Sequence, residues 1–505
     1  MNEEALLSRA VEERENLFNR YARGRENPAD IDPWEDPGNE VYQCDRYGFI
    51  QGQNISKKND SKEIRNNEHE MQRIKKWLKM LKAWDNTTTM EKLERRIFKG
   101  VPNSLRPQVW CKLLELNRVK SENRRKYDEM LRLARLWSTD ARQIDSDVNR
   151  QFRDHVNYRE RYSLKQQSLF NVLCAYAMYN SEVGYCQGMS GLAGVLLMYM
   201  DEEEAFWAMC VLFKNPKFAM HGLYIEGFPK LTRFLEHHDK VITKFMPKLK
   251  HHFDRFGLDA ILYSLKWFFV CFVERVPFSL CLRVWDLYLV YGERVITAMA
   301  FTVLRMHKKA ILRLNDMDAI VQYIQVKLFK DFGYEDDVVI NNLENNMKEL
   351  RKAKLDYPGP PPQDELPKRV FGQFVEPDVR RKIGSRAEHF SEAEKKVRAS
   401  VLLRKEKNAT EMDELLPSQT ENSGTRSREE ETGSVLGSRR SLADTSVTST
   451  ADLSAFSSTR SHAPDNSLDT HSNVSQDDDD DDSGSVRSGV VVARADVLRI
   501  HVPYG

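Results

Sequence analysis

Apolar and polar residues alternate along most of the chain with the three-to-four-residue spacing of amphipathic helices. Between about Leu93 and Leu314 this pattern is dense, aromatic residues and Leu are frequent, and few stretches show the two-residue alternation of strands. The pattern predicts an all-α domain of about two hundred residues. The predicted helices span residues 106–114, 127–137, 164–179, 191–200, 203–213, 228–237, 261–273, 279–291 and 295–314.

The same periodicity predicts two helices before this domain. Residues 5–23 are densely charged and favour a peripheral helix. Between residues 71 and 84 apolar side chains recur at helical spacing, and the lysines from Lys75 to Lys82 occupy the opposite face. Such a basic amphipathic helix packs on a neighbouring domain, contacts a membrane surface or fills a partner's groove, and the sequence leaves these three roles open.

Changes in composition divide the chain further. After Tyr334 one amphipathic segment, 338–355, is predicted to close the domain, and a proline-rich stretch follows it. Beyond about Asn408 the chain is rich in Ser, Thr and Asp and poor in large apolar residues, which predicts a disordered tail. The predicted N-terminal flank spans residues 1–66 and includes a polar linker over 51–66. The basic helix and linker (67–91), the helical domain (92–315) and closing helices (316–356) follow it. A proline-rich linker over 357–407 includes a charged helix over 388–407, and the tail spans 408–505.

Charge and cysteine content exclude several classes of protein. The chain has 77 Lys and Arg against 76 Asp and Glu, so no global field indicates a nucleic-acid partner. Its seven cysteines lack metal-ligand spacing and lie mostly in apolar runs, which predicts reduced core residues of a cytoplasmic protein. The apolar segments 188–200 and 267–282 are too short or too interrupted for membrane spans and are predicted to be buried helices.

Familiar catalytic and metal motifs are absent from the sequence. There is no GxxxxGK[ST] loop, and Gly188, Gly191 and Gly194 have the spacing of close helix packing rather than of a dinucleotide fingerprint. His237 and His251 are each followed by a second histidine. Adjacent side chains diverge on a helix, so we expect exposed histidines rather than a metal site. The sequence therefore predicts no cofactor of its own.

Residues 144–189 contain two polar residues, Arg150 and Gln187, that are candidates for a functional site. One continuous helix between them would separate the two side chains by about 55 Å. Residues 180–184 form a break, so the chain can turn and bring Gln187 back toward Arg150.

Four motifs follow one another along the chain. They are RxxxWxxLL within residues 100–114, IxxDxxR at residues 144–150, YxQ within residues 184–189, and Arg-Val-Trp-Asp at residues 283–286. In this order they resemble the signatures of the TBC family, whose domain acts as a Rab GTPase-activating module. The flanks at 31–38 and 46–50 resemble the RN-tre-like subgroup, which is related to the N-terminal part of the Tre oncoprotein. The matching positions are Arg106, Trp110, Ile144, Asp147, Arg150, Gly184, Tyr185, Gln187, Gly188, Arg283, Trp285 and Asp286.

The resemblance implies a mechanism in which Arg150 and Gln187 act as fingers on GTP held by a Rab, which also brings the Mg²⁺. A guanidinium can donate hydrogen bonds to charge developing on the γ-phosphate, and an amide can orient the attacking water. Asp147 would hold Arg150, and Tyr185, Gly184 and Gly188 would shape the loop of Gln187.

The remaining motif residues are expected to be structural. Ile144, Trp110 and Trp285 are expected in the core, and Arg106 and Asp286 as hydrogen-bond partners. Asn149 and Gln151 flank Arg150 where relatives commonly have Pro and Thr or Ser, while both finger residue types are kept.

The resemblance implies regulation of vesicle trafficking, in the cytoplasm or at Golgi or endosomal membranes during endocytosis. A catalytically silent scaffold for Rab or signalling proteins is the alternative, and whether the chain counts as an enzyme is left open, since it would act only in trans. Further expected partners are an SH3-type domain at the prolines from Pro358 to Pro362 and an anionic membrane at the lysines from Lys75 to Lys82. No nucleic-acid partner is expected.

Overall fold

Helices make up nearly all the regular structure of the described part of the chain, as predicted for an all-α fold. The structure is a computed structural model that describes residues 3–26, 43–51, 60–377 and 497–498. In chain order its helices are α1 (Glu3–Arg23), α2 (Asp60–Lys82), α3 (Thr87–Ile97), α4 (Arg106–Leu113), α5 (Leu116–Glu122), α6 (Lys126–Trp137), α7 (Ala141–Arg150), α8 (Leu164–Tyr179), α9 (Met189–Tyr199), α10 (Glu202–Lys214), α11 (Pro229–Phe245), α12 (Pro247–Arg255), α13 (Ala260–Phe269), α14 (Phe278–Tyr291), α15 (Glu293–Ile311), α16 (Met317–Gln322), α17 (Leu328–Lys330) and α18 (Asp336–Lys352).

Helix α8 lies at the centre of the first half of the domain. It begins at the N-cap Ser163, whose hydroxyl accepts a hydrogen bond from the backbone of Gln166, and almost every residue after Leu169 is buried. Because its apolar residues cover all sides rather than one stripe, the helix is surrounded by α1, α6, α7, α9 and α10. This packing places α7 and α9, which carry or flank the candidate residues, against the same core helix and in contact with each other.

The N-terminal region is more than a peripheral flank. Phe18 and Tyr21 of α1 are buried, and the Tyr21 ring stacks on Phe170 of α8 at a centroid distance of 4.0 Å. The Tyr21 hydroxyl donates to Asp145 of α7 over 2.8 Å. Helix α2 begins at Asp60, so the second half of the predicted linker over 51–66 is helical.

A small sheet accompanies the helices. Strand β1 (Gln43–Asp45) pairs antiparallel with β2 (Ile50–Gln51), with Cys44 opposite Ile50, and also with β3 (Val497–Leu498). The strand β3 lies within the region 408–505, for which the sequence predicts disorder throughout. The other residues of that region, the predicted helix at 388–407 and the segment 31–38 lie outside the described residues.

Helix α13 ends earlier than its apolar pattern predicts. The sequence predicts a helix over 261–273, but α13 ends at Phe269, and Cys271, Phe272 and Glu274 have positive φ angles of 48°, 65° and 54°. Long-range contacts favour this turn: the Trp285 indole donates to the Cys271 carbonyl over 3.0 Å, and the Tyr224 hydroxyl donates to the Phe269 carbonyl over 2.7 Å. The backbone strain, about 1–3 kcal/mol for each such residue, is offset by the surrounding packing.

The histidine pair on α11 is buried, in contrast to the expected exposure. His237 contacts the Leu355 carbonyl and His238 contacts the Tyr263 hydroxyl, at 3.0 and 3.2 Å. Burial lowers the pKa of His238 to about 3, so this side chain is neutral at physiological pH. Both rings therefore belong to the core.

Residues 357–377, predicted as the start of a linker, follow the surface of the domain as a fixed segment. We call these residues the C-terminal strap. Its Glu365 is buried and accepts two hydrogen bonds from Arg233 of α11, at 2.6 and 2.7 Å, while the Gly372 amide donates to the Tyr179 carbonyl over 2.7 Å. Proline-rich composition predicted a linker because it shows no helical period, but these contacts do not depend on a helix.

All seven cysteines are free thiols, and five of them are buried. Among the described residues, none of the helices has the length and apolar character needed to cross a membrane. The two apolar segments noted in the sequence contribute to the buried helices α9, α13 and α14.

Candidate functional site

Arg150 is the last residue of α7, and its side chain is directed by a buried carboxylate one turn earlier. Its Nη2 atom lies 2.7 Å from Oδ1 of Asp147, and the Arg150 side chain is 59% exposed whereas Asp147 is 1% exposed. Gln143 also donates to Asp147, over 3.3 Å. The guanidinium is thus anchored on its protein side and open to solvent on the other.

Asp147 also binds the loop that carries Gln187. The Tyr185 hydroxyl donates to Oδ2 of Asp147 over 2.5 Å, and the Tyr185 backbone amide donates to Asp140 of the same α7 region over 3.3 Å. Burial and then the neighbouring Asp147 raise the pKa of Tyr185, so the phenol stays protonated and can donate. One carboxylate therefore joins the two predicted motif segments.

A second link between these segments runs through Gln151. Ser190, near the start of α9, donates to Oε1 of Gln151 over 2.9 Å, and Nε2 of Gln151 donates to Glu274 over 3.2 Å. Burial raises the pKa of Glu274, and the amide of Gln151 opposes that shift. Gln151, which departs from the family pattern beside Arg150, thus forms part of a partly buried polar cluster.

Sequence reasoning missed Ser190 and Glu274 as members of the site. Glu274 had a signal, since it is a carboxylate inside an otherwise apolar run, but its partner Gln151 is 123 positions away and no local pattern joins them. Ser190 follows the YxQ motif directly and had no signal of its own.

The loop from Asn180 to Gly188 reverses the chain between α8 and α9. Asn180 is buried, and its side-chain amide donates to the Tyr176 hydroxyl over 3.0 Å. Its backbone carbonyl accepts from the backbone amide of Gly184 over 2.8 Å. Gly188 has a φ of 103°, and a Cβ there would lie 3.2 Å from Val270, so glycine fits both the turn and the close packing. The predicted break is present and directs Gln187 to the surface.

Gln187 is exposed, and its side chain makes no hydrogen bond to any residue that the structure describes. Its position follows from Tyr185 before it and Gly188 after it rather than from contacts of its own amide. The amide is therefore available to a ligand or partner.

The same loop is tied to the C-terminal strap. Glu182 accepts hydrogen bonds from the backbone amides of Lys368 and Arg369, over 2.9 and 3.2 Å, and lies 3.6 Å from Nε2 of His221. Burial lowers the pKa of His221, while Glu182 raises it. A segment nearly two hundred positions away in sequence therefore contacts the loop that carries Gln187.

Four other motif residues form a buried cluster: Arg106, Trp110, Trp285 and Asp286. Arg106 donates to both carboxylate oxygens of Asp286, over 3.0 and 3.1 Å, and the Trp110 indole donates to Asp286 over 2.8 Å. The rings of Trp110 and Trp285 are stacked with their centroids 5.7 Å apart. Burial lowers the pKa of Arg106, but the adjacent Asp286 raises it further, so the guanidinium stays charged. Together with the fully buried Ile144, these residues support the fold.

Arg283 is placed apart from this cluster. It donates to the Phe98 carbonyl over 2.8 Å and pairs with Asp337 of α18 over 2.7 Å. Its hydrogen bond to Phe98 stabilises the turn after α3. Arg283 has no hydrogen bond to Arg150 or Gln187.

The site presents an exposed guanidinium and an exposed amide on supports that are partly or fully buried. The described residues contain no group of three or more His, Cys, Asp or Glu able to hold a metal ion. An Arg and an amide can stabilise and orient groups carried by another molecule.

Comparison with known proteins identifies the domain that carries this site. A family model described as the Rab-GTPase-TBC domain matches residues 103–312, and these include all four motifs from Arg106 onward. The chain contains a Rab-GTPase-TBC domain. The TBC prediction is thereby confirmed; the RN-tre-like subgroup is not confirmed and stays a prediction.

Two curated proteins and one solved structure are similar to this chain. The chain is 29% identical to TBC1 domain family member 10B of Mus musculus over 316 residues, which are 61% of this chain and 38% of the relative. The Homo sapiens protein of the same description is 28% identical over 309 residues, 60% of this chain and 37% of the relative. The chain thus spans less than two fifths of the length of these relatives. A crystal structure of the Chlamydomonas flagellar RabGAP TBC domain, 24% identical, has a TM-score of 0.50 and covers 59% of this chain and 99% of its own, which shows a shared fold.

The TBC match leaves out parts of the chain that contact the site's supports. Helix α1 lies before the match and its Tyr21 binds Asp145 of α7, while the C-terminal strap lies after it and binds Glu182. The TBC domain of this chain is therefore packed against one segment that precedes the match in sequence and one that follows it.

Proposed function

We propose that this protein accelerates GTP hydrolysis by a Rab-family GTPase, with Arg150 and Gln187 supplied in trans. The observation that carries the proposal is the buried carboxylate of Asp147, which binds both Arg150 and Tyr185. It joins the two finger motifs of a TBC domain while leaving Arg150 and Gln187 exposed toward a partner.

The residue types suit the chemistry of phosphoryl transfer to water. Charge develops on the oxygens around the γ-phosphate, and the planar guanidinium of Arg150 can donate several hydrogen bonds to it. The Gln187 amide can accept from the attacking water and donate elsewhere, which orients the nucleophile. The Rab would hold the GTP and Mg²⁺, so the chain would need no cofactor of its own.

The proposal is tested by single-turnover phosphate release from a panel of GTP-loaded Rabs. We expect stimulation of at least one Rab, lost by about 10³- to 10⁵-fold when Arg150 is replaced by Ala, which corresponds to about 4–7 kcal/mol of barrier. A chain that binds a GTP-loaded Rab without stimulating any member of the panel would instead be a catalytically silent scaffold.

Placement in trafficking and further partners belong to the same proposal. Action on a Rab would regulate vesicle transport in the cytoplasm, including endocytosis, at Golgi or endosomal membranes. The proline-rich stretch is held to the domain by a hydrogen bond from Arg233 to the Gly359 carbonyl, while Pro360 and Pro362 stay exposed to an SH3-type partner. On α2, Lys75, Lys79 and Lys82 are exposed and could contact an anionic membrane.

A further inference from the structure

A concave surface between α2, α3 and the start of α18 collects positive charge far from the finger residues in sequence. Its cavity has a volume of about 630 Å³. The cationic side chains that line it are Arg73, Lys76, Lys92, Arg95, Arg96 and Lys99. We call this cavity the α2–α3 basic pocket.

The pocket divides the basic residues of α2 into two sets. Lys76 lines the cavity, whereas Lys75, Lys79 and Lys82 do not. The sequence pattern treats these lysines as one face, but only the structure shows that Lys76 converges with cations from a different helix. Cationic side chains on a single solvated helix face point apart into water. Here cationic side chains of α2 and α3 line the same cavity.

The floor of the pocket is built from fixed backbone. The buried Trp77 donates its indole N–H to the Gly100 carbonyl over 3.2 Å, and Arg96 donates to the Lys76 carbonyl over 2.9 Å, which ties α3 to α2. Gly100 has a φ of 95°, and a Cβ there would lie 3.1 Å from Nε of Arg283. The motif residue Arg283 therefore supports the turn beneath the pocket.

Acidic groups within the described residues do little to neutralise this charge. Asp337, the acidic residue that lines the pocket, is paired with Arg283, and Arg73 lies 4.0 Å from the partly exposed Glu70. Lys76, Lys92, Arg95 and Lys99 have no ion pair with any described residue. Uncompensated like charges repel, and an anion bound between them would remove that repulsion.

We propose that the α2–α3 basic pocket binds a compact, multiply phosphorylated anion of the inositol phosphate class. Its volume lies within the range of about 300–1,000 Å³ typical of small-molecule sites. Arginine and lysine side chains suit clustered phosphates. A nucleic acid fits less well, because neither aromatic residue of the lining is free to stack on a base: Trp77 is buried, and the Phe98 ring packs on Tyr291 with the centroids 5.7 Å apart. The ligand could be free in solution or the headgroup of a membrane phosphoinositide.

The test uses the full chain and two forms of the ligand. Isothermal titration measures binding of free inositol 1,4,5-trisphosphate, and co-sedimentation measures binding to phosphatidylcholine vesicles with 5% phosphatidylinositol 4,5-bisphosphate. Phosphatidylserine vesicles of equal surface charge separate headgroup recognition from general attraction. Saturable binding in either arm is expected, and the arm with the higher affinity identifies the source.

Two matched double variants separate the pocket from the outer face of α2. Lys92→Glu with Arg95→Glu should weaken binding about 100-fold, since each lost cation removes about tenfold. Lys75→Glu with Lys79→Glu makes the same charge change outside the pocket and should weaken binding of the free trisphosphate less than about threefold, because charges outside the cavity are screened by solvent. If the first pair does not fold, as judged by circular dichroism, Lys92→Gln with Arg95→Gln replaces it.

Three results would overturn the proposal. They are the absence of binding in both arms, equal loss of free trisphosphate binding in the two double variants, and binding to phosphatidylserine vesicles as tight as to the phosphoinositide. None of these readouts uses a Rab, so their outcome is independent of whether GTPase activation is found.

Discussion

The arginine half and the glutamine half of the candidate site are held in different ways. Arg150 is fixed by a carboxylate on its own helix, three positions earlier, with Asp147 almost fully buried. Gln187 lies on a loop without a side-chain partner among the described residues, and its position depends on Tyr185, the turn glycines and the distant C-terminal strap. The arginine position is thus encoded locally, whereas the glutamine position is encoded by tertiary contacts.

This difference predicts which substitutions affect one finger and which affect both. Asp147 and the Gln151 cluster join the halves, so their loss should affect both fingers. Tyr185 and Glu182 serve the loop, so their loss should affect Gln187 and leave Arg150 in place.

The largest effect among the supporting residues is expected for Asp147→Asn. Losing the charge weakens its bonds to Arg150 and Tyr185, and since a hydrogen bond to a charged group contributes about 1.5–3 kcal/mol, stimulation of the Rab should fall about 100-fold. Single-turnover hydrolysis measures this.

Asp145→Asn is the matched control for Asp147→Asn. Asp145 is on the same helix, but it binds Tyr21 and Arg161 rather than the fingers. This variant should lose stability and keep stimulation within about twofold, because it leaves the Arg150 carboxylate pair intact. Equal losses of activity in the two variants would show that α7 stability, not finger placement, controls the rate.

The next effect is expected for Gln151→Ala, which leaves Ser190 and Glu274 without their partner. The free energy of unfolding should fall by about 1–3 kcal/mol, and stimulation should fall about tenfold. Chemical denaturation and hydrolysis assays measure the two quantities.

Gln151→Glu provides the pH-dependent control for this cluster. Burial already raises the pKa of Glu274, so a facing carboxylate should destabilise the fold more at pH 8 than at pH 5, because protonation of either carboxyl removes the repulsion. A carboxyl whose pKa is raised by folding binds its proton more tightly in the folded state than in the unfolded state. The free energy of unfolding therefore falls as pH rises. A pH-independent effect would contradict the contact between Gln151 and Glu274.

A smaller effect is expected for Tyr185→Phe, which removes one hydroxyl and keeps the ring. Losing the bond to Asp147 should lower stimulation about fivefold, equivalent to about 1 kcal/mol. Residual activity should remain sensitive to Arg150→Ala. Wild-type activity in Tyr185→Phe would mean that the loop is placed without this hydrogen bond.

The smallest effect is expected for Glu182→Ala, which releases the C-terminal strap from the loop. Stimulation should fall about threefold, in line with the loss of hydrogen bonds worth about 0.5–1.5 kcal/mol, and the amides of Lys368 and Arg369 should exchange hydrogen faster. Glu122→Ala removes an exposed carboxylate paired with Arg118 and should change neither quantity. Unchanged exchange in Glu182→Ala would contradict the observed contact.

Sequence predicted what depends on local spacing. The helical periodicity gave α8 its observed bounds, Leu164–Tyr179, and three-residue spacing on α7 predicted the pairing of Asp147 with Arg150. The bond from Tyr185 to Asp147 and the cluster of Gln151 with Glu274 join distant positions, so no periodicity predicts them. Long-range hydrogen bonds also explain the two segments that the sequence predicts wrongly. The turn after Phe269 interrupts an apolar run because the Trp285 indole binds the Cys271 carbonyl, and the proline-rich C-terminal strap is held to the domain because Arg233 binds Glu365.

The most direct test of the two-finger account is single-turnover GTP hydrolysis by a stimulated Rab, measured with Arg150→Ala, Gln187→Ala and Arg142→Ala. Arg142 lies on the same helix as Arg150, is 62% exposed and pairs with Glu13, so it controls for loss of an exposed arginine. The account predicts near-complete loss of stimulation for Arg150→Ala, a large loss for Gln187→Ala, and wild-type stimulation for Arg142→Ala. Stimulation that survives in both Arg150→Ala and Gln187→Ala would contradict it.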